Sequence, residues 1–266
     1  MTFKKHRPRK RFGQNFLHDN SVIADIVAAA ELSADDLVLE IGPGQGALTN
    51  IIAPQVARLD IIEVDRDLAA EFVASDVDNL HVHVGDALKL DWAEFLLADN
   101  HKLIANLPYN ISTQILFKMI RHKSLFERMV LMFQKEVAER LQAKAGTKSY
   151  GALTILCQLW FNVNTVVIVP PHAFRPQPKV MSEVLCLTRR QKPLVEVDDP
   201  LFFQRVVKSA FAQRRKTLRN CLNHAGFAVK NFDSLADIDL QRRGETLTIQ
   251  EFANLSRYLK QTMADV

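Results

Sequence analysis

Short apolar runs alternate with amphipathic stretches through the first half of the chain. The runs are too short for helices and predict buried strands at Leu37–Ile41, Leu59–Val64, Leu80–Val84, Lys102–Ala105 and Met129–Phe133. Between the runs, apolar residues recur at helical spacing and predict helices at Asn20–Leu32, Ala47–Val56, Leu68–Ala74, Ile111–Arg121 and Glu136–Ala143. Strands and helices that alternate in this order predict βαβ units and a mostly parallel sheet.

The pattern changes in the second half of the chain. A helix at Ala152–Phe161 precedes two strands, Thr165–Val169 and Val184–Thr188, which flank a proline-rich loop at Pro170–Lys179. The polar stretch Arg189–Pro200 is the best candidate for a linker.

Only helices are predicted beyond this linker. Two of them cover Leu201–Phe211 and Thr217–Ala225. A third begins near Thr248, which forms the S/T-x-x-E pattern of a capping box with Glu251. The carboxyl-terminal part therefore differs in architecture from the part before it.

The composition is that of a globular protein, with 48% hydrophobic and 24% charged residues in a chain of 266. We expect an α/β protein in which residues 1–190 form a Rossmann-like sheet domain and residues 191–266 a smaller all-α domain. No apolar run approaches the roughly 18 residues that span a bilayer. The amino terminus also lacks the apolar core of a signal peptide, so we expect a cytoplasmic protein.

Basic residues are concentrated outside an acidic block. The first eleven residues carry six basic side chains and no acid, whereas residues 12–100 carry a net charge of −14. The rest of the chain is again positive, so that the whole has a net charge of +4. Clusters of Lys and Arg attract phosphates and release counterions. We therefore predict a polyanionic partner for the basic arm of residues 1–11, which includes Arg9, Lys10 and Arg11.

The first predicted strand runs into a loop of the form G-x-G-x-G, which contains Gly42, Gly44 and Gly46. Glycines let the backbone turn sharply and let a ligand lie against main-chain atoms. The dinucleotide fingerprint is instead G-x-G-x-x-G, in which a helix N-terminus meets a pyrophosphate. S-adenosylmethionine has no pyrophosphate, and a loop of this spacing with an acidic residue before it, here Glu40, is typical of methyltransferases that use this cofactor.

Two carboxylates follow the next two strands. Glu63 ends the second strand, where a carboxylate can accept hydrogen bonds from both ribose hydroxyls, and Asp86 follows the third, within reach of an adenine amine. Each alone is explained as well by a solvated loop residue. The carboxyl ends of parallel strands meet at one edge of a sheet, however. The glycines and the two acids in this order therefore predict a site for S-adenosylmethionine.

The fourth strand is followed by the tetrapeptide Asn106, Leu107, Pro108 and Tyr109. Adenine N6 is a poor nucleophile because its lone pair is delocalised into the ring. The side-chain oxygen of Asn106 and a backbone carbonyl of the turn can accept hydrogen bonds from this amine and aim it at the sulfonium methyl. Pro108 biases Leu107 towards extended geometry, and Tyr109 offers a ring for stacking on the base. The tetrapeptide predicts an adenine N6-methyltransferase, the alternative being an ordinary turn after a strand.

With the glycine loop, this tetrapeptide resembles the ribosomal RNA adenine N6-dimethyltransferases. Residues 9–17 resemble the opening signature of that family, and residues 173–180 resemble its target-base loop. The resemblance implies that Asn15 and Leu17 contact the cofactor, together with Asn106. It further implies that Phe174 stacks on the adenine opposite Tyr109.

The match extends over residues 9–260, with one departure at Met181, where the family has an acidic residue. Residues 211–220 resemble the members that modify the small ribosomal subunit more than the resistance enzymes that act on large-subunit RNA. The resemblance implies dimethylation of N6 of two adjacent adenosines in the 3'-terminal hairpin of 16S rRNA, with a role in small-subunit biogenesis. Residues 201–232 carry no acid, and we predict that RNA phosphates contact Arg214, Arg215, Lys216 and Arg219.

Two other functions stay open. A non-catalytic assembly factor would bind rRNA through the same basic segments, although the intact Asn106, Tyr109 and Glu63 argue against binding alone. A DNA adenine N6-methyltransferase would use the same catalytic residues on a different nucleic acid.

Neither a metal nor an oligomer is expected. His81 and His83 share a face of one predicted strand but lack an evident third ligand. The cysteines, Cys157, Cys186 and Cys221, are far apart and form no CxxC pair, which argues against a zinc cluster or a disulfide framework. We expect a monomer whose cysteines are reduced and mostly buried.

Overall fold

The computed structural model describes residues 7–9, 12–96, 98–213, 215–227, 229 and 234–264. The described strands are β1 (Phe16–Leu17), β2 (Leu37–Ile41), β3 (Arg58–Glu63), β4 (Leu80–Val84), β5 (His101–Asn106), β6 (Phe126–Gln134), β7 (Phe161–Val169), β8 (Phe174–Arg175), β9 (Ser182–Arg189), β10 (Ser234–Leu235) and β11 (Ile238–Asp239). The described α-helices are α1 (Asn20–Ala30), α2 (Thr49–Ile52), α3 (Arg66–Val73), α4 (Ser112–Arg121), α5 (Lys135–Gln142), α6 (Ala152–Trp160), α7 (Pro200–Ala210), α8 (Leu218–His224) and α9 (Ile249–Ala264).

Seven strands form the central sheet in the order β4-β3-β2-β5-β6-β9-β7. Strands β2 to β6 run parallel, and β9 is antiparallel to β6. The expected α/β fold with a mostly parallel sheet is therefore confirmed. Helices cover such sheets on both faces, and accordingly the apolar Val38, Leu39 and Ile104 have no exposed surface. The parallel alignment brings the carboxyl ends of β2, β3, β4 and β5 to one edge.

The chain divides into two compact units. The first comprises Met1–Ala138 and Asn162–Arg189, and the second comprises Glu139–Phe161 and Arg190–Val266. The expected boundary at residue 190, between a sheet domain and a helical domain, stays a prediction. Residues 139–161 group with the second unit because α6 packs on α7 within it.

The second unit is mostly helical. The prediction of helices alone beyond the linker is wrong at β10 and β11, which form a short antiparallel pair. Its last helix begins as the sequence predicts. The Thr248 amide donates to Glu251 Oε2 at 2.7 Å, and the Glu251 amide donates to Thr248 Oγ1 at 3.2 Å, which closes the capping box.

Several element boundaries differ from the prediction, and two of these differences have a clear physical cause. The helix expected at Ala47–Val56 is the short α2 followed by a 3₁₀ turn at Ala53–Gln55, because Pro54 has no N–H with which to continue an α-helix. Strand β7 begins directly after α6, well before the expected Thr165. The first residues of β7 include the exposed polar Asn162 and Asn164. They interrupt the apolar run from which a strand is predicted.

None of the described helices combines the length and the apolar character that a bilayer crossing requires.

Candidate functional site

A cavity of about 270 Å³ lies at the sheet edge where β2, β3, β4 and β5 end. Its walls include most of the predicted site residues, namely Asn15, Leu17, Gly42, Gly44, Glu63, Asp86, Asn106, Leu107, Pro108 and Tyr109. The structure therefore brings the glycine loop and the tetrapeptide together in one cavity. Gly46 and Phe174 are not among the wall residues.

The glycine loop follows β2 and adopts backbone conformations that suit glycine. Gly42, Gly44 and Gly46 have φ angles of +70°, +58° and +75°. At Gly44 a Cβ atom would also lie 2.9 Å from Cδ1 of Phe16. A side chain at this position is therefore excluded twice, by the backbone conformation and by the approach of the amino-terminal segment.

Glu63, at the end of β3, has a carboxylate that is nearly buried, with 4% of the residue exposed. Its Oε1 accepts from the Asp65 amide at 2.8 Å, and its Oε2 accepts from the Gly44 amide at 3.3 Å. Burial raises the pKa of Glu63 to about 7, against the opposing effect of these hydrogen bonds. A carboxylate so placed at the cavity wall can accept from a pair of ribose hydroxyls.

Glu40, at the end of β2, is a second buried carboxyl group on this wall. Burial raises its pKa to about 8, and the neighbouring Glu63 adds to the rise. Thr49 Oγ1 donates to Glu40 Oε2 at 2.7 Å and works in the opposite direction. Two carboxyl groups on the cavity wall thus titrate near neutral pH.

Asp86 follows β4 and shapes its own loop, because its Oδ1 accepts from the Leu88 amide at 2.9 Å. Val64 lies on the same wall with 41% of its surface exposed. An apolar side chain on the same wall as two acids suits a purine ring that carries an exocyclic amine. The donors, acceptors and apolar surface of this wall therefore fit the adenosine part of S-adenosylmethionine.

Lys118 on α4 supports the loop that carries Asp86, a role that sequence reasoning missed. Its Nζ donates to the carbonyl of Ala87 at 2.9 Å and to the carbonyl of Leu90. It also lies 4.6 Å from the centroid of the Trp92 ring. Burial lowers the pKa of Lys118. The only signal in the sequence was a lysine on the apolar face of a predicted helix.

Asn106 is oriented by the amino-terminal segment. Its Nδ2 donates to the backbone carbonyl of Asn15 at 3.2 Å. A carbonyl can only accept, so this contact fixes the amide with Nδ2 on one side and leaves Oδ1 as the acceptor towards the cavity. Asn15 therefore contacts the Asn106 amide and also lines the cavity.

The carbonyls of the turn are only partly available, contrary to the simple expectation. The Pro108 carbonyl accepts from the Ile111 and Ser112 amides, both at 3.1 Å. The Tyr109 carbonyl accepts from Ser112 Oγ at 3.2 Å. Among the described loop and side-chain groups none donates to the Leu107 carbonyl, which makes it the second acceptor for an amine beside Asn106.

Tyr109 is held by a residue that sequence reasoning did not single out. Its hydroxyl lies 2.7 Å from Ser182 Oγ, at the start of β9. The ring is half-buried and lines the cavity. Burial raises the pKa of Tyr109, so the phenol is neutral at physiological pH. Ser182 follows Met181, the departure from the family pattern, whose carbonyl accepts from the Lys135 amide at 3.0 Å.

Phe174 is not in the position that the resemblance implied. The residue is fully buried and pairs with Leu17, where strand β8 meets strand β1. In this arrangement the ring belongs to the apolar core and not to the cavity wall. Stacking on a base would require the ring to leave the core, and this role stays a prediction.

The residues expected to bind RNA are distributed unevenly. Lys10, Arg11 and Arg214 lie outside the described residues. Arg215 and Lys216 are exposed, whereas Arg219 is half-buried. The guanidinium of Arg9 pairs with the carboxylates of Asp65 and Asp67 instead of projecting freely.

The described residues contain no group of three or more His, Cys, Asp or Glu side chains that would hold a metal ion. His83 Nε2 lies 2.8 Å from Asp60 Oδ1, and its ring stacks on Phe95 with centroids 3.8 Å apart. The three cysteines are free and buried.

Comparison with known proteins decides the family. The sequence profile of the ribosomal RNA adenine dimethylases matches residues 5–261. The chain belongs to the ribosomal RNA adenine dimethylase family. This dimethylase is 57% identical over 258 residues to the ribosomal RNA small subunit methyltransferase A of Syntrophotalea carbinolica, covering 96% of this chain and 98% of the relative. It is 42% identical over 253 residues to the protein of the same name from Clostridium acetobutylicum, covering 93% and 92%.

Solved structures agree with the fold of the dimethylase. A dimethyladenosine transferase from Plasmodium falciparum has a TM-score of 0.76 at 27% identity, covering 93% of this chain and 98% of that one. The 23S rRNA methyltransferase ErmE has a TM-score of 0.68 at 26% identity, covering 93% and 100%. The central sheet is therefore the Rossmann-like sheet of methyltransferases.

The dimethylase uses S-adenosylmethionine to methylate adenine in ribosomal RNA, and its cavity suits both reactants. When bound, the cofactor supplies an electrophilic methyl group and departs as a neutral thioether. Glu63 and Asp86 would hold its adenosine, close to the glycine loop. Asn106 Oδ1 and the Leu107 carbonyl would accept hydrogen bonds from the target amine and direct its lone pair. Because the departing group is neutral, no side chain has to protonate it.

Proposed function

We propose that this dimethylase transfers methyl groups to N6 of two adjacent adenosines in the 3'-terminal hairpin of 16S rRNA. The reaction takes place in the cytoplasm on small ribosomal subunits, and the protein acts as a monomer. The observation that carries the proposal is the shared cavity, in which Asn106 with its fixed amide faces the wall formed by Glu63 and Asp86. The relatives are ribosomal RNA small subunit methyltransferases A, which supports the choice of subunit.

The two parts of the chain receive different roles in this proposal. The sheet unit binds the cofactor and performs the transfer. The helical unit binds the ribosome, since it carries the exposed Arg215 and Lys216 just before α8. Exposed basic side chains contact phosphates and so position an enzyme on RNA without reading the sequence. They therefore suit a docking role and not the choice of the base.

The test incubates the protein and labelled S-adenosylmethionine with small subunits that lack the modification, followed by mass spectrometry of the 16S rRNA. The expected product is N6,N6-dimethyladenosine at two adjacent positions of the terminal hairpin. Parallel reactions contain naked 16S rRNA, large subunits and DNA. Label in DNA or in large-subunit RNA alone would refute the proposal.

A non-catalytic assembly factor is the second candidate, and the same experiment separates it. Such a protein would bind small subunits without transferring label. The variant Asn106→Ala serves as the reference for binding without transfer, because the substitution removes the amide acceptor and leaves the basic surface of the second unit intact.

A further inference from the structure

The amino-terminal segment of residues 12–17 forms part of the cavity wall, although the rest of that wall comes from loops after β2 to β5. A wall segment outside the central sheet keeps its place only through contacts with other parts of the chain. Strand β1 provides one anchor by pairing with β8. A second anchor lies at the other end of the segment, at Arg9.

Four side chains form this second anchor, which we call the N-terminal clasp, consisting of Arg9, Gln14, Asp65 and Asp67. Asp65 has no exposed surface, and its two oxygens accept from Arg9 Nη1 at 2.7 Å and from Gln14 Nε2 at 2.9 Å. Gln14 Oε1 in turn accepts from the Arg9 amide at 2.7 Å, which closes a ring of three residues. The second guanidinium nitrogen of Arg9 pairs with Asp67. The clasp thus bonds Arg9 to Gln14 and holds both against Asp65.

The clasp is connected to the chemistry on both sides. The Asp65 amide donates to Glu63 Oε1 at 2.8 Å, so the clasp is bonded to the carboxylate that faces the ribose site. Gln14 is followed by Asn15, whose carbonyl accepts from Asn106 Nδ2 at 3.2 Å. One hydrogen-bonded chain therefore runs from Glu63 through the clasp to the amide that receives the target amine.

We propose that Arg9, Gln14 and Asp65 are positioning residues that hold the amino-terminal wall closed over the cofactor and keep Asn106 aligned. Arg9 acts by binding Asp65 and Asp67 and not by binding an RNA phosphate. This inference rests on S-adenosylmethionine as the cofactor and does not depend on the choice of 16S rRNA as substrate.

The decisive experiment measures S-adenosylmethionine binding to the full-length protein by equilibrium dialysis in the absence of RNA. Arg9→Ala should raise the dissociation constant by about tenfold, the size that follows when a charge-assisted hydrogen bond is lost. The matched control is Arg7→Ala, which removes the same charge from the same arm. Arg7 is exposed and forms no ion pair with a described residue, so its change should leave the constant within about twofold.

Kinetics distinguish positioning from RNA contact. Arg9→Ala should raise the KM for S-adenosylmethionine and lower kcat, through Asn106, while the KM for RNA and its salt dependence follow the Arg7→Ala control. The slope of log RNA affinity against log salt concentration reports the number of phosphate contacts. If Arg9→Ala reduced this slope by about one and left cofactor binding unchanged, Arg9 would be a phosphate ligand and the proposal would be overturned.

Two further variants guard against a general folding defect. Arg9→Lys keeps the charge but loses the forked geometry that reaches both carboxylates, so it should restore only part of the affinity. Gln14→Ala opens the ring of three without removing a charge and should weaken cofactor binding in the same direction. Equal cofactor binding by Arg9→Ala, Gln14→Ala and the Arg7→Ala control would overturn the proposal.

Discussion

The two sides of the cavity use opposite kinds of chemistry. The carboxylate side, with Glu40, Glu63 and Asp86, consists of acids, two of which titrate near neutral pH because they are buried. The amide side, with Asn106 and Tyr109, is neutral, since an amide does not titrate and burial raises the pKa of the phenol. One side can therefore respond to pH and charge, whereas the other depends on the geometry of fixed acceptors.

This difference corresponds to the two reactants. In the proposed reaction the carboxylate side would face a cofactor that carries a positive charge and a ribose diol, both of which favour a negative neighbour. The amide side would face a neutral amine, whose lone pair has to be directed without being protonated. The comparison implies that substitutions on the amide side reduce the rate of transfer, while those on the carboxylate side reduce cofactor affinity.

The largest effect is expected at Asn106. Asn106→Ala should lower kcat by about a thousandfold or more, as for other acceptors and donors that act in the transition state, while changing RNA affinity little. Single-turnover transfer and filter binding to small subunits measure the two quantities. Asn164→Ala, on the exposed part of β7, is the control. Loss of RNA affinity in parallel with the rate would contradict the separation of the two functions.

Lys118 tests whether the amide side and the carboxylate side of the cavity depend on each other. It lies on α4, directly after the tetrapeptide, but its ammonium group binds the loop that carries Asp86. Lys118→Met should lower the free energy of unfolding by about 2–3 kcal/mol, because the buried carbonyls of that loop lose their donor. It should also weaken cofactor binding. Urea denaturation checks the first effect, with the exposed Lys89→Met on the same loop as the control. Equal free energies of unfolding for the two variants would mean that the loop does not depend on hydrogen bonds from Lys118.

The pH dependence of cofactor binding sharpens the contrast. In the proposed site the ionised form of Glu63 accepts hydrogen bonds from both ribose hydroxyls. With a pKa of about 7 in the free protein, this form is lost as the pH falls. The affinity for S-adenosylmethionine should therefore rise by up to about tenfold from pH 6 to pH 8. Calorimetric titration at several pH values measures it. Glu63→Gln should flatten the profile, and Glu40→Gln reveals any part that comes from the second carboxyl group.

The smallest effect is expected at Ser182. Ser182→Ala removes one hydrogen bond to the Tyr109 hydroxyl and should lower kcat by about fivefold, which corresponds to roughly 1 kcal/mol. Tyr109→Phe should have the same effect, and the double variant should be no worse than either alone. The exposed Ser124→Ala is the control. Additive losses would show that the two residues act separately.

Local patterns were sufficient to predict the sheet and much of the site. Each parallel strand is a short apolar run, and the residue types that bind nucleosides follow directly at its carboxyl end, as with Glu63 after β3. The chemistry of Asn106 and Tyr109 is likewise contained in four consecutive residues. Such signals can be interpreted before the tertiary fold is known. The rule that parallel strands end at one edge of the sheet is enough to place these residues together.

Contacts between distant segments were not predictable in this way. Asn106 meets the carbonyl of Asn15, and Tyr109 meets Ser182, although neither pair is close in the sequence. No periodicity marks a backbone carbonyl or a lone serine as a partner. The burial of Phe174 was missed for a related reason, since the two-residue pairing of β1 with β8 is too short to produce a strand pattern.

The approach of Phe16 to Gly44 makes the residue allowed at one position depend on the residue at the other. Because even a methyl group at 44 would collide with the ring, a bulkier residue in the bend requires both a smaller residue at 16 and a new backbone path. The Phe16 ring therefore limits which residues the glycine loop can contain at position 44. Attempts to redesign the enzyme for enlarged donors should begin by altering these two positions together.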